Sequence, residues 1–322
     1  MAITTRTEIP AEINNFYVKN LLRNAWAKYM YAKWGQIDDI PSNFGTNVIK
    51  FRRYDKLTAA TTALTEGTTP IGSQLGQTVI TATALQYGDF VTTSDVVSFQ
   101  SIDKVMMVTS KLQGKQIGDT IDQLTRAILV AGTNAYYGGT ATSTGTVDTT
   151  DYLTTTMLDK VIALLDSNDA DRIMEMVDPQ TGYATSPIDE SYICIISPNT
   201  AYTLRGLTGF VSVEKYAGMM KRLDGEVGAY KNIRFVQTSN GYVDSAAGKS
   251  ANDVHYSLIL GADAYGMTRI SGNALEYVSK PLGSAGTADP INQRATVGWK
   301  MTYIAKILND DFMCRLEHSV AV

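Results

Sequence analysis

From Arg294 onward, Ala295, Val297, Trp299, Met301, Tyr303, Ala305 and Ile307 alternate with Thr296, Gly298, Lys300, Thr302 and Lys306. Apolar residues at every second position line one face of a strand, so this stretch predicts a long strand with one buried side. Ile304 and Leu308 interrupt the polar face. After "NDD" the apolar residues Phe312, Cys314 and Leu316 hold the even positions, the phase shift expected of a bulge or tight turn. Just before the strand, "SAGTADP" has turn chemistry, so "DPINQRATVGWKM" at 289–301 leads from a turn into pairing structure.

Two stretches follow the helical period instead. Over 13–34, Ile13, Phe16, Tyr17, Leu21, Ala25, Trp26, Tyr29 and Met30 recur at helical intervals among Lys19, Arg23, Lys28 and Lys33, which predicts an amphipathic N-terminal arm. Its aromatic stripe suits either the chain's own core or another subunit. Over 101–135, Ile102, Val105, Met106, Leu112, Ile117, Ile121, Leu124, Ile128 and Ala131 form a stripe long enough for a spine helix of roughly 45–50 Å. Gly114 and Gly118 mark a kink or a close backbone approach, and Gly132 is the expected C-terminal cap.

Between arm and spine, 47–93 reads as β structure. "NVIKFRRY" and "QTVITATALQYGDFVTTSD" flank "DKLTAATTALTEGTTPIGSQLG", a Thr- and Gly-rich tip with no core-facing stripe. A tip of this length without apolar periodicity is unusual in a closed domain, so it is expected to pack on something else. Residues 57–77 and those before about 13 should be more mobile than the spine. Beyond a polar break at 132–151, 154–166 reads as a helix with Leu158, Val161, Ile162 and Leu165 inward. "SYICIIS", "KNIRFVQTS" and "VHYSLILG" read as buried strands, with short helices in "SPNTAYTLRGL", starting after Pro198, and in "SVEKYAGMMKRL". This mixture predicts an α/β lobe from about 151 to 270.

Composition narrows the function. The chain has 322 residues, 44% hydrophobic and 19% charged, with a net charge of −4. An acidic balance without clustered Lys and Arg argues against sequence-specific DNA binding. No stretch approaches the roughly 18–20 apolar residues that a bilayer requires, and "MAITTRTEIPAEINN" lacks the apolar core of a signal peptide. Cys194 and Cys314, the two cysteines, sit in apolar runs as small buried hydrophobes do.

Segments that resemble catalytic motifs each lack a required part. Gly248-Lys249-Ser250 ends like a phosphate-binding loop, but Val243 stands where the first glycine belongs and no helix pattern follows. "GSAGTADP" opens a strand rather than the helix of a dinucleotide site. "DSNDAD" at 166–171 lacks the central glycine and distal glutamate of a calcium loop. His255 and His318, in strand-like contexts, have no ligand-spaced Cys, His or Glu nearby. The leading alternatives are a small-oligomer α/β enzyme centred on His255 or "AAGKS", and a structural binding module.

Three segments carry a more specific signal: "KFRRYDKLTAATTALTEGTTP" with "QYGDFVTTSD", then "GEVGAYKNIRFVQTSN", and finally "PLGSAGTADPINQRATVGWK". Together, in this order, they resemble the major capsid proteins of tailed bacteriophages, most closely the N-four-like coat protein family. The last segment is the most specific, through Asp289, Pro290, Asn292, Gln293, Arg294, Gly298, Trp299 and Lys300. The resemblance implies an α+β fold of the Hong Kong 97 type. Its parts would be an N-terminal arm (1–46), an E-loop hairpin (47–93), a P domain with the long spine helix (94–150), an α/β A domain (151–270), and long C-terminal strands returning to the P domain (271–322).

It further implies a structural protein that assembles into hexamers and pentamers of an icosahedral head around double-stranded DNA, in a virion put together in the host cytoplasm. No catalytic residue, cofactor, metal or membrane is implied. Partners would be further copies of the chain, a separate scaffolding protein (since the arm starts near Met1), a portal and a decoration protein. Subunit-interface candidates are Phe16, Trp26, Arg52, Arg53, Glu66, Pro70, Arg294 and Trp299, with Arg52, Arg53 and Glu66 as charge pairs between subunits. Lys50 and Lys56 lie in the hairpin, but no acid or partner asparagine marks a covalent crosslink.

Overall fold

A computed structural model describes residues 29–39, 48–69, 72–100, 105–174, 189–216, 222–268 and 275–321. A turn at 29–35 ends in β1 (Gln36–Asp38). β2 (Val48–Tyr54) and β3 (Gln77–Thr83) form an antiparallel hairpin, with Val48 opposite Thr83 and Tyr54 opposite Gln77. β4 (Leu85–Ser94) and a short helix α1 (Asp95–Gln100) lead to the long helix α2 (Val105–Val130). β5 (Ala135–Tyr137), α3 (Thr155–Ser167), β6 (Tyr192–Ile196) and α4 (Pro198–Arg205) come next. Then follow β7 (Val211–Ser212), β8 (Glu226–Tyr230), β9 (Ile233–Gln237), β10 (Val243–Asp244) and β11 (Val254–Leu260). The chain closes with β12 (Tyr265–Thr268), β13 (Leu275–Lys280), β14 (Arg294–Tyr303), β15 (Ala305–Ile307) and β16 (Met313–His318).

The largest sheet runs β5-β16-β11-β6-β9-β8-β7, with β10 added on β11. Its central strands are buried on both faces, which explains why "YICII" is a continuous apolar run and why every residue of "VHYSLIL" is buried, His255 and Ser257 included. Tyr192, Cys194 and Ile196 point to the core under α3 and α4, with Leu158, Val161 and Leu204. Ile193 and Ile195 point the other way, to the core holding Ile117, Ile121 and Leu129 of α2. The lobe extends beyond 151–270, because its sheet takes in β5 and β16. Thr154 caps α3 through the Met157 N–H, and Ser197 caps α4 with Pro198 in the first turn.

Cys194 and Cys314 lie on one face, but Ile259 pairs with both and stands between them. Two strand spacings, roughly 9–10 Å, exceed the roughly 7 Å limit of a disulfide, so both thiols stay free.

The second sheet, β13-β14-β4, carries the most specific segment. β14 pairs along its whole length with β4, from Arg294 opposite Ser94 to Tyr303 opposite Leu85. Trp299, Met301 and Tyr303 are buried against α2, but the single long strand expected over 294–307 divides at Ile304, and β15 pairs with β12 in another sheet. The turn before β14 is as expected: Gly283 and Gly286 adopt φ of 86° and 54°, and Asp289 accepts the N–H of Arg294 at 2.8 Å.

Four expectations need correction. The 13–34 helix lies outside the described residues up to 28, and 29–34 forms turns instead of helix. There the Asp122 carboxylate takes the N–H groups of Met30 and Tyr31, both at 2.7 Å, so these donors serve a tertiary contact. Tyr31 is fully buried in the chain's own core, so this end of the arm does not protrude. α2 spans 26 residues, roughly 39 Å at 1.5 Å per residue, and runs through Gly114 and Gly118 without a break. "QTVITATALQYGDFVTTSD" is two strands, and its second half, β4, leaves the hairpin to pair with β14. In "SVEKYAGMMKRL" the described part forms a 3-10 turn over 213–215 rather than an α-helix.

Candidate assembly surface

The β2–β3 hairpin is anchored at its root and bare at its tip. Ile49, Phe51, Ala82 and Ala84 form a small core with Leu308. The Phe51 ring lies where a Cβ on Gly266 would come within 2.6 Å of it, so this close approach requires glycine on β12. Beyond Tyr54, residues 55–69 and 72–75 are all exposed, among them Leu57, Leu64 at 78% and Leu75. The Asp55 N–H donates to Gly76 O at the neck, and Lys56 pairs with Asp169. Both partners of that pair are mostly exposed, so it stabilises little.

The sequence-predicted residues divide. Arg52 is exposed on the hairpin and Glu66 on the exposed tip. Arg53 donates from Nη1 to Leu308 O at 3.3 Å, which fastens the hairpin to the body. Arg294 is largely exposed and donates from Nη2 to Ala288 O at 2.9 Å. Trp299 is 4% exposed and donates to Gln116 Oε1 at 3.2 Å, so it belongs to the core between β14 and α2. Phe16, Trp26 and Pro70 lie outside the described residues.

The outward face of α2 carries Val108, Lys111, Leu112 and Lys115, all exposed. Spacings of three and four put these four residues on one helical face. The stripe mixes apolar and basic groups with no acid among them.

The groups that resembled catalytic motifs are occupied. His255 Nδ1 lies 3.0 Å from Ser197 Oγ and His318 Nε2 2.9 Å from Ser257 Oγ, and the two rings stack across the β11–β16 pairing at 6.4 Å. Burial pushes both imidazoles below their ordinary value, His318 to about 4, so they are neutral packing elements. Lys249 binds Asp148 at 2.7 Å, and its backbone N–H donates to Val147 O, which leaves no phosphate cradle. Among the described residues no cluster of metal-ligating side chains forms, and no helix is long and apolar enough to cross a membrane.

Three polar anchors escaped sequence reasoning. Asp122 ties 30–31 to α2 and receives Asn240 Nδ2 at 3.0 Å. Arg315 donates to Gly132 O at 3.0 Å and to Val130 O, capping the C-terminal end of α2, while its Nε lies 2.7 Å from buried Glu317. Arg234 and Glu226 form a buried bidentate pair at 2.7 and 2.8 Å. Asp122 and Arg315 join elements distant in sequence and Arg234–Glu226 joins the adjacent strands β8 and β9, and no local motif announces any of the three.

The family model described as phage capsid protein matches residues 123–275, from within α2 to the start of β13. Among solved structures the chain resembles the capsid of Ralstonia phage GP4, with 14% identity, 86% of this chain and 84% of that chain covered, and a TM-score of 0.67. It also resembles the head of Helicobacter pylori bacteriophage KHP40 (11%, 92% and 92%, 0.61) and the cyanophage Pam1 capsid (15%, 85% and 85%, 0.60). This is a structural capsid protein. Its fold is the α+β, Hong Kong 97-type capsid fold, and its place is the virion. No curated protein matches it in sequence. Its role is structural rather than enzymatic.

Proposed function

We propose that this capsid protein, of the N-four-like group, closes into hexamers and pentamers of an icosahedral head around double-stranded DNA. Residues 1–46 serve as arm, 47–93 as E-loop with β4 returning to the P-domain sheet, 94–150 and 271–322 as P domain, and 151–270 as A domain, whose sheet β5 and β16 complete. One observation carries the reading: a hairpin whose root is packed and whose tip, including Leu57, Leu64 and Leu75, meets nothing of its own chain's core. The tip of one subunit lies over the outward face of α2 in the next. Leu64 meets Val108 and Leu112, and Glu66 meets Lys111 or Lys115. Each exposed charge pair contributes about 0–1 kcal/mol. Repetition around a closed ring and between rings turns such contacts into a stable shell. Arg52 and Arg294, both exposed, provide further charge at this surface.

The net charge of −4 suits a container that encloses DNA without gripping it, since tight phosphate binding requires many Lys and Arg contacts. A separate scaffolding protein, a portal and a decoration protein complete the particle, which is built in the host cytoplasm. Sedimentation and negative-stain microscopy of the purified chain test this. Capsomers, tubes or megadalton shells are expected, and a compact small oligomer that never associates further would overturn it.

A further inference from the structure

At the β7 edge of the large sheet, where β7 and β8 meet the C-terminal end of α4, lies a groove of about 820 Å³. Arg205, Lys215 and Arg222 line it, all exposed and none paired with a described carboxylate. Two acids share the lining, but only Glu214 is free. Glu226 is neutralised by bidentate Arg234 and also accepts Tyr216 Oη at 2.7 Å and the Leu223 N–H at 2.8 Å. Among its described lining residues the groove therefore holds three cations against one free anion, in a chain whose net charge is −4. Like charges crowded without counter-ions repel, and an anion spanning them relieves that repulsion. Beside the cations, Phe210, Val213 and Val227 offer apolar wall, and Ser212 and Gln237 offer polar contacts. The volume falls in the range of small-molecule sites, roughly 300–1,000 Å³.

We propose that this groove binds a polyvalent phosphate anion, its phosphates held by Arg205, Lys215 and Arg222. Arginine forks match phosphate oxygens in pairs, and lysine adds a point charge. The buried Arg234–Glu226 pair fixes the floor and takes no part in binding.

Calorimetry on the purified full-length chain at low salt, with inorganic tripolyphosphate, tests the site, and sodium sulfate at matched ionic strength serves as control. Saturable binding of tripolyphosphate is expected, weakened on the order of tenfold or more in a triple variant R205Q/K215Q/R222Q. That variant changes exposed side chains only, and its circular dichroism and melting should match the parent. A nucleoside triphosphate forms the second arm: tighter binding than tripolyphosphate shows that the apolar wall takes the base, and equal binding shows that phosphate alone is read. Absence of heat at millimolar tripolyphosphate, sulfate binding as strong as tripolyphosphate, or unchanged binding by a folded triple variant would each overturn the proposal.

Discussion

The Asp122 carboxylate on α2 accepts the backbone N–H of Tyr31 at 2.7 Å, across 91 positions of sequence. Met30 donates to the same oxygen and Asn240 to the other, so one side chain fastens the N-terminal segment and the β9–β10 connection to the long helix. Burial pushes this carboxyl above its usual range, an effect that the bonds from Asn240, Tyr31 and Met30 offset in part. Replacing Asp122 by Ala strands two buried N–H donors and the Asn240 amide. A loss of about 2–4 kcal/mol in urea unfolding is expected, with faster hydrogen exchange at 30–31. A loss below about 0.5 kcal/mol would show that the clamp is dispensable.

Gly298 sits in mid-strand, where glycine ordinarily weakens a sheet. A Cβ there would lie 2.8 Å from Phe90 Cβ and 3.0 Å from Asp89 O on the paired strand β4. Gly298→Ala should therefore destabilise by about 1–3 kcal/mol through overpacking. The nearest atom is Phe90 Cβ, which Phe90→Ala would keep, so only a Phe90→Gly partner change should recover part of the loss, read as a coupling between the two substitutions. A Gly298→Ala chain as stable as the parent in chemical denaturation would mean that β4 yields freely.

How much could be read in advance follows from where the determining contacts are. β6, β9, β11 and β14 were legible because their apolar runs and alternation record burial directly. α3 was legible from its apolar spacing, and the start of α4 from Pro198. The split of 77–94 into two strands was not, because β4 leaves the hairpin for a partner some two hundred residues away, Arg294–Tyr303. Trp299 was read as an interface residue since its aromatic ring suits both settings, and the presence of α2 above it decides for the core. Asp122 and Arg315 look like ordinary charged residues of a helix and a strand. Their roles exist only once remote backbone groups arrive.

His318 gives the fold a pH dependence of definite sign. It is fully buried, faces Ser257, the Ser319 carbonyl and neutral His255, and titrates at about 4 against an ordinary 6.5. Above 6.5 both folded and unfolded chains are neutral at this site, and its stabilising contribution is complete. As pH falls from 6.5 towards 4 the unfolded chain binds a proton that the native ring refuses, so stability declines by up to about 3 kcal/mol. His255 is shifted in the same direction, opposed by Asp253. Urea unfolding between pH 7 and 4 should show this slope, and His318→Gln should flatten it. An unchanged slope in that variant would assign the effect to other groups.

The hairpin tip separates stability from assembly. The described residues 57–69 and 72–75 contribute no side chain to any buried cluster, and the Lys56–Asp169 pair lies just outside them. Replacing 57–75 by a short Gly-Ser turn keeps the β2–β3 register and the Phe51–Leu308 core intact. The melting of the unassembled chain should then change by no more than about 1 kcal/mol equivalent, because exposed residues lose little when removed. Association should fail, because the surface offered to the next subunit is gone. A milder variant, Leu64→Ser with Glu66→Lys, keeps the loop and reverses its charge towards Lys111 and Lys115. It should slow or abolish shell formation, and Lys111→Glu with Lys115→Glu in the same chain should restore part of it. Light scattering under assembly conditions reads all three chains. Normal shells from the truncated chain would remove the tip from the mechanism, and failure of the charge swap alone would move its seat away from α2.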